Sequence, residues 1–561
     1  MSSEFVTVVR QQDSAATLHT PNGFASMEKA EVVDVRVDKL QRRLHARHLE
    51  MIAVGGTIGT GLLLRSGGAI ASAGPVGALV CYALVGLQVF GVASSIGEMA
   101  TLLPVEGAFS HLPARFVCPA LGFVSGWNYW LNWALTFPAE MSGIASLMGY
   151  WISPVNCPSW VWSLIYMIPI VTVNCFPVTG FAEMEFVLCI IKILAIVVFM
   201  GIGICLWFGV GNSGQGPIGF RNWNPAVVGD TPLQQFMNIS NGFTTAFFSY
   251  GGTELVGLTA GEAANPRLSV PRAIRGTFYR ILLFYLGAIF IVGVLLRPDD
   301  PVLSSSSIKT SPFVWVYNKA GITIGADIMN AVIIVAASSA ANSSIYACAR
   351  TLMRLSEDGQ APRIFSRVTA HGVPLYSVFA VVFMGLLAVV AAYASGPNGS
   401  VDIFNWLSGF ISISILISWV VMSITHLRFR YGYLAQGRRM EDLPYIAPLF
   451  PWMQGLSLVI GAVVVAFMLM GAFDATGDAF FDVDWWMNDS WTYAGIPLMV
   501  VLFVVYGVSH PGAFRLVRYE DMDFESNRVT ETEAEIAQVA AAHARPMNAK
   551  ELATLVWFKL F

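Results

Sequence analysis

Two stretches of this sequence combine residue types that a regular helix avoids. Gly55-Gly56-Thr57-Ile58-Gly59-Thr60-Gly61 holds four glycines, and Ser249-Tyr250-Gly251-Gly252-Thr253-Glu254 is followed by Gly257; each lies within an otherwise apolar run. A glycine in a helix interior costs about 1 kcal/mol relative to alanine, so these clusters need a reason. Close helix packing through small residues accounts for Gly55 and Gly59 taken alone. A break in the helix accounts for the whole cluster. It frees amides and a partial positive charge for an anion, and carbonyls for a cation. A zwitterion suits such a pair of ends.

Three ionisable residues lie inside apolar runs: Glu140, Lys192 and Glu254. At membrane depth such a group costs about 2.5–3.5 kcal/mol on insertion scales, so it faces a cavity or a partner. Glu254 follows the second cluster. It either attracts an ammonium, carries a proton, or makes a structural hydrogen bond to unwound backbone. Glu140 ends Asn132-Trp133-Ala134-Leu135-Thr136-Phe137-Pro138-Ala139-Glu140, where Pro138 is expected to bend the helix or free a carbonyl. Lys192 either pairs with a carboxylate (Glu183 and Glu185 begin the same run) or gives up its proton in one conformation and regains it in another. Tyr250 reads as a gate beside the break or as an interface aromatic. Asp327 is expected at an outer rim, and Glu98 and Glu262 near the inner face with arginine partners. Asn342 and Ser343 read as small polar packing residues.

The elements that hold these groups follow from composition. Of 561 residues, 55% are hydrophobic and only 12% charged, and the mean hydropathy is +0.62. Soluble domains carry about 25% charged residues; this chain is an integral membrane protein by that reading. A net charge of −4 gives no basic surface for nucleic acid. The 7 cysteines fall almost wholly in apolar stretches, so neither a disulfide framework nor a zinc site is expected. No GxxxxGK[ST] loop is present, no histidines pair as metal ligands, and no catalytic pair can be placed. No cofactor and no enzyme activity are expected.

A spanning helix needs about 20 mostly apolar residues. That ruler marks twelve stretches: 50–71, 76–98, 119–150, 160–178, 184–209, 234–261, 277–297, 321–349, 374–395, 402–427, 450–472 and 491–511. With the N-terminus inside, 26 of the 32 Lys and Arg fall on the inner side and 5 on the outer. That asymmetry places both termini in the cytoplasm. The predicted fold is all-α, with an N-terminal tail at 1–49, a membrane domain at 50–512 and a C-terminal tail at 513–561, both tails solvated.

The glycine clusters sit in the first and sixth stretches, matching positions if the first ten form two five-helix repeats. Inverted-repeat transporters bind substrate at discontinuous helices in such positions. Ile52–Leu62 (IAVGGTIGTGL), Gly97–Pro104 (GEMATLLP), Phe248–Glu262 (FSYGGTELVGLTAGE), Ala340–Tyr346 (AANSSIY) and His426–Phe429 (HLRF) resemble the fungal amino-acid permeases of the amino acid–polyamine–organocation superfamily. The likeness runs from about residue 40 to about 515. It implies a LeuT-type fold of five plus five inverted helices with two more at the C-terminus, and proton-coupled uptake of amino acids across the plasma membrane. The proton is then the coupling ion.

The same site follows from both arguments. Amides around Thr57, Ile58, Gly59, Thr60 and Gly61 are expected to hold the substrate carboxylate, and carbonyls near Ser249, Tyr250 and Gly251 its ammonium. Glu254 joins them. Asn132, Trp133, Thr136 and 408–414 are expected to line the side-chain pocket. Lys192, Glu140 and Glu254 are the candidates for proton coupling; the resemblance puts Lys192 near the broken first helix. The third-helix segment is similar to that of arginine and lysine permeases, whereas Ile411, Ser412 and Pro138 favour a broad-range or neutral carrier, which is the expectation here. A non-transporting sensor on the same scaffold is the competing class. Lys29 and Lys39, among acidic neighbours, resemble tails through which fungal permeases meet the ubiquitin-ligase machinery.

Overall fold

The structure is a computed structural model that describes residues 58–526 and 528, apart from 106, 177, 211–215, 256–269, 272, 275, 277, 279–281, 304–310, 370–371, 397–398 and 476–493. Thr57, Glu262, the 1–49 tail with Lys29 and Lys39, and 529–561 lie outside the described residues. The helices that position the site are α1 (Gly61–Leu102), α2 (Ala108–Phe116), α3 (Pro119–Met148), α4 (Ser159–Asn174), α5 (Val178–Trp207) and α6 (Pro232–Tyr250). They continue as α7 (Leu282–Leu295), α8 (Pro312–Lys319), α9 (Thr323–Glu357), α10 (Leu375–Ala394), α11 (Gly399–Ala435), α12 (Trp452–Ala475) and α13 (Gly495–Ser509). Among the described residues, α1, α5 from Glu183 onward, α9, α10 and α11 are long and apolar enough to cross a membrane.

At 42 residues, α1 is twice the length one crossing needs, and it is interrupted at Gly74-Pro75. Gly74 has φ +77°, which favours glycine, and Pro75 has no N–H to donate. The backbone groups released there are taken up by a neighbouring strand of chain: Val76 N donates to Ala226 O at 3.1 Å and Val228 N to Ala73 O at 3.4 Å. A Cβ on Gly74 would lie 2.6 Å from Ala226 O. The break therefore requires glycine twice over. By contrast α3 runs through Pro138 without interruption, so the bend expected there reduces to one missing N–H, facing the Ala134 carbonyl.

α5 is built inside out. Val187, Ile190, Ile191, Leu194 and Val198 form an exposed apolar stripe, while Glu185, Cys189, Lys192, Ile196 and Phe199 form the buried one. Both follow the helical repeat of three to four residues. A helix that turns oil outward and buries Glu185 and Lys192, leaving Glu183 exposed near its start, has lipid on one side and a polar interior on the other. α3, α9 and α11 pack side by side at the centre, with α1 against α6 beside them.

The C-terminal segment departs from the solvated tail expected for it. Residues 513–526 lie against α2 and α11, with Ala120 N donating to Ala513 O at 3.1 Å and Val517 N to Val117 O at 2.9 Å. Phe524 is fully buried among Phe116, Phe429 and Tyr433, at ring distances of 5.3, 5.5 and 5.2 Å. Arg115 pairs with Asp523 at 3.1 Å and Arg438 with Glu525 at 2.6 Å; the Arg438 guanidinium holds the Glu525 carboxyl below the usual carboxylate range. Phe524→Ala is expected to cost about 3–5 kcal/mol, the usual range for emptying a buried Phe site. A lowered melting temperature of the detergent-purified protein checks this, and an unchanged one counts against the docking.

Candidate functional site

The two glycine clusters meet in space. Ile58 and Gly59 form a bend, the helix begins at Thr60, and α6 ends at Tyr250. A Cβ added to Gly61 would lie 2.6 Å from Ser249 Cα and 2.9 Å from Phe248 O, so backbone rests on backbone. Gly251 leaves helical geometry (φ −54°, ψ 138°) and Gly252 has φ +98°, a left-handed turn that favours glycine. The turn expected at the second cluster is therefore present; of the first cluster the described residues show a bend at Ile58-Gly59 and a helix starting at Thr60, while 55–57 lie outside them.

Beside this contact lies a cavity of about 360 Å³ lined by Gly59, Gly61, Asn132, Trp133, Thr136 and Glu140, with Phe248, Gly251, Gly252, Ala340, Ile411 and Ile415 on its other side. Its polar groups are unevenly occupied. Thr60 Oγ1 donates to Glu140 Oε1 at 3.0 Å, and the Thr60 amide approaches the same carboxyl. A carboxylate thus already stands at the start of the helix, where the partial positive charge favours it. Glu140 Oε2 and Asn132 Oδ1 are buried without a hydrogen-bond partner among the described residues. Thr136 spends its hydroxyl on Asn132 O at 2.7 Å. Buried acceptors are normally satisfied; two open ones in one cavity suit a ligand with N–H groups.

The second break is more fully occupied than the sequence reading expects. Ser249 O accepts from Tyr285 Oη at 2.8 Å, and Tyr250 O accepts from Thr253 N at 3.4 Å and Thr253 Oγ1 at 3.1 Å. Of the three carbonyls, Gly251 is the one whose residue lines the cavity. Glu254 does not line it; Gly252 N donates to its Oε2 at 3.1 Å, the structural bond to unwound backbone. Tyr250 is wedged between helices and does not cover the cavity. Its hydroxyl donates to Tyr82 O at 2.9 Å and its ring stacks on Tyr285 at 4.5 Å. The aromatics in the lining are Trp133 and Phe248, the latter edge-on to Phe404 at 5.9 Å.

Lys192 is fully buried on α5 and sits outside the cavity lining. Its Nζ donates to Ser339 Oγ on α9 at 2.7 Å and lies 3.7 Å from Glu185 Oε1. Glu140 is near enough for its charge and that of Lys192 to act on each other. Glu98 takes an arginine partner as expected: Arg430 Nε donates to it at 3.0 Å, Ala447 N at 2.6 Å, and His426 Nε2 lies at 3.2 Å. Asp327 is held by Trp151 Nε1 at 2.9 Å, and Asn342 by Asn174 at 2.7 Å. The sequence reading misses Phe248, the bond from Arg65 to Ser408, and Glu185 as the specific partner of Lys192. Only the last left a signal: residues 185 and 192 are two helical turns apart and share a face.

Comparison with known proteins identifies the family. The family model described as "Amino acid permease" matches residues 48–514. The lysine-specific permease LysP of Escherichia coli is 37% identical over 499 residues, covering 87% of this chain and 97% of its own. The basic amino-acid permease of Saccharomyces cerevisiae is 37% identical over 502 residues, 87% of this chain and 84% of its own. The general amino-acid permease GAP1 of the same yeast is 34% identical over 521 residues, 91% of this chain and 83% of its own. The chain belongs to the amino acid permease family, within the amino acid–polyamine–organocation superfamily, and is a multi-pass membrane transporter and not an enzyme.

Proposed function

We propose that the protein is a proton-coupled importer of amino acids at the plasma membrane, working by alternating access. Twelve spans, a LeuT-type five-plus-five repeat with two further helices, and cytoplasmic termini complete this reading. The observation that carries it is the contact of Gly61 with Ser249 beside a cavity holding two open acceptors. In this reading the substrate ammonium meets Glu140 Oε2, Asn132 Oδ1 and the Gly251 carbonyl. Its carboxylate faces the amides of Ile58, Gly59 and Gly61, with Thr57 as their continuation. Lys192 and Glu140 handle the proton; Glu254 holds the break in shape.

The substrate side chain best supported is a cationic one, because relatives named for lysine and basic amino acids align along most of this chain. Broad or neutral carriage is the second reading, supported by Ile411 and Ile415 in the lining. Competition of labelled lysine uptake by the full set of amino acids, at two external pH values in a permease-deficient strain, separates them. Lysine and arginine are expected to compete best, and acidifying the medium to raise uptake. Binding without uptake would favour a sensor; uptake indifferent to pH and to a protonophore would remove the proton.

A further inference from the structure

One buried polar chain takes no part in the substrate cavity. Ser339 accepts from Lys192 Nζ at 2.7 Å and donates its own proton to Glu185 Oε1. Glu185 and Asn342 are both fully buried, the Asn342 side chain faces the Glu185 carboxyl, and neither Glu185 Oε2 nor Asn342 Nδ2 has another hydrogen-bond partner among the described residues. Asn342 Oδ1 accepts from Asn174 Nδ2 at 2.7 Å. Asn174 in turn lines a second cavity of about 320 Å³ where α4 and α9 end and α10 begins, rimmed by exposed Phe176 and by Arg350, which lies 3.7 Å over the Tyr346 ring. The polar groups therefore form a file from Lys192 to the surface at the Arg350 end of the bundle.

We propose that Glu185 is the proton acceptor of Lys192 and that the proton leaves along this file to water in the Arg350 cavity. The inference rests on the proton-coupled reading above. In the transfer, an N–H bond of Lys192 breaks as an O–H forms on Ser339, while the original Ser339 O–H breaks and an O–H forms on Glu185. Lys192 and Glu185 become neutral and Ser339 is unchanged. Glu185 then releases the proton to water past Asn342 and Asn174 and is again a carboxylate. Among the described residues, Glu140 acts on Lys192 from α3, Glu183 precedes on α5, α9 brings Ser339 and Asn342, and α4 and α7, packed against α5, carry Tyr166 and Tyr285. A buried ion pair that only held the helices together would need neither the open oxygen nor a cavity at the end of its hydrogen bonds.

The test uses the full chain in proteoliposomes with a trapped pH dye and labelled lysine, or leucine if the wild type ignores lysine. Glu185→Gln is expected to keep substrate exchange within about twofold while losing proton movement and acid-driven accumulation at least about tenfold. Glu185→Asp should restore part of both. Ser339→Ala, which removes the bridge and no charge, should slow coupled uptake and spare exchange, and it serves if Glu185→Gln fails to fold. The proposal is overturned if Glu185→Gln moves protons at the wild-type ratio, or if exchange and coupled uptake fall together at normal protein levels. If the wild type itself moves no protons with substrate, the proton-coupled reading fails first and separately.

Discussion

Gly61→Ala is expected to lower uptake about a hundredfold or more. The added methyl would lie 2.6 Å from a backbone atom, Ser249 Cα, which has no rotamer by which to retreat. Overpacking a tight site ordinarily costs about 1–3 kcal/mol, and here the strain falls on the contact that shapes the cavity. Gly68→Ala is the control, since nothing lies within 4 Å of a Cβ there; it should transport normally. Initial rates of labelled uptake, normalised to surface protein, decide the matter. A Gly61→Ala protein with wild-type rates would mean that the two breaks need not touch during transport.

The second large effect belongs to Lys192. Lys192→Ala should abolish accumulation against a gradient and leave substrate binding measurable. It also strands Glu185 as a buried carboxylate without its cation, and breaking one partner of a buried pair costs about 3–5 kcal/mol. Stability and coupling are separated by adding Glu185→Leu to Lys192→Met. Replacing both charges by apolar groups of similar size is often neutral or stabilising, so the double variant should melt near the wild type yet still equilibrate substrate without concentrating it. Concentrative uptake by the double variant would take the lysine out of the coupling scheme.

Much of this was legible from residue types because a membrane imposes strong rules. Four glycines inside an apolar run conflict with a helix, and the described part of each cluster, Ile58-Gly59 and Gly251-Gly252, is not helical. Lys192 inside an apolar run had to find a partner, and Glu183 and Glu185 were both offered; the two-turn spacing that singles out Glu185 was present but not used. What stayed hidden depends on groups remote in sequence. Tyr285 claims the Ser249 carbonyl, and Tyr82 draws Tyr250 away from the cavity, leaving Phe248 in the lining. No local pattern encodes such a choice between adjacent aromatics. Glu254 shows the same limit, since a carboxylate beside a break serves backbone or ligand equally well on paper. The tail at 513–526 was misread because its composition is polar; its few apolar anchors, Met522 and Phe524, are too sparse to register as an element.

That docked stretch fixes where the polypeptide can be altered. Arg428 reaches from α11 to Phe116 O at 2.7 Å and on to Val517 O, and Gln436 holds Met522 O at 2.8 Å. The segment acts as a clasp across two neighbouring helix ends, so any shift between those ends during a transport cycle must stretch it or carry it along. A fluorescent fusion placed after Arg528 leaves the clasp whole, while trimming back to Ser509 would strip its cover from an aromatic nest and invite aggregation.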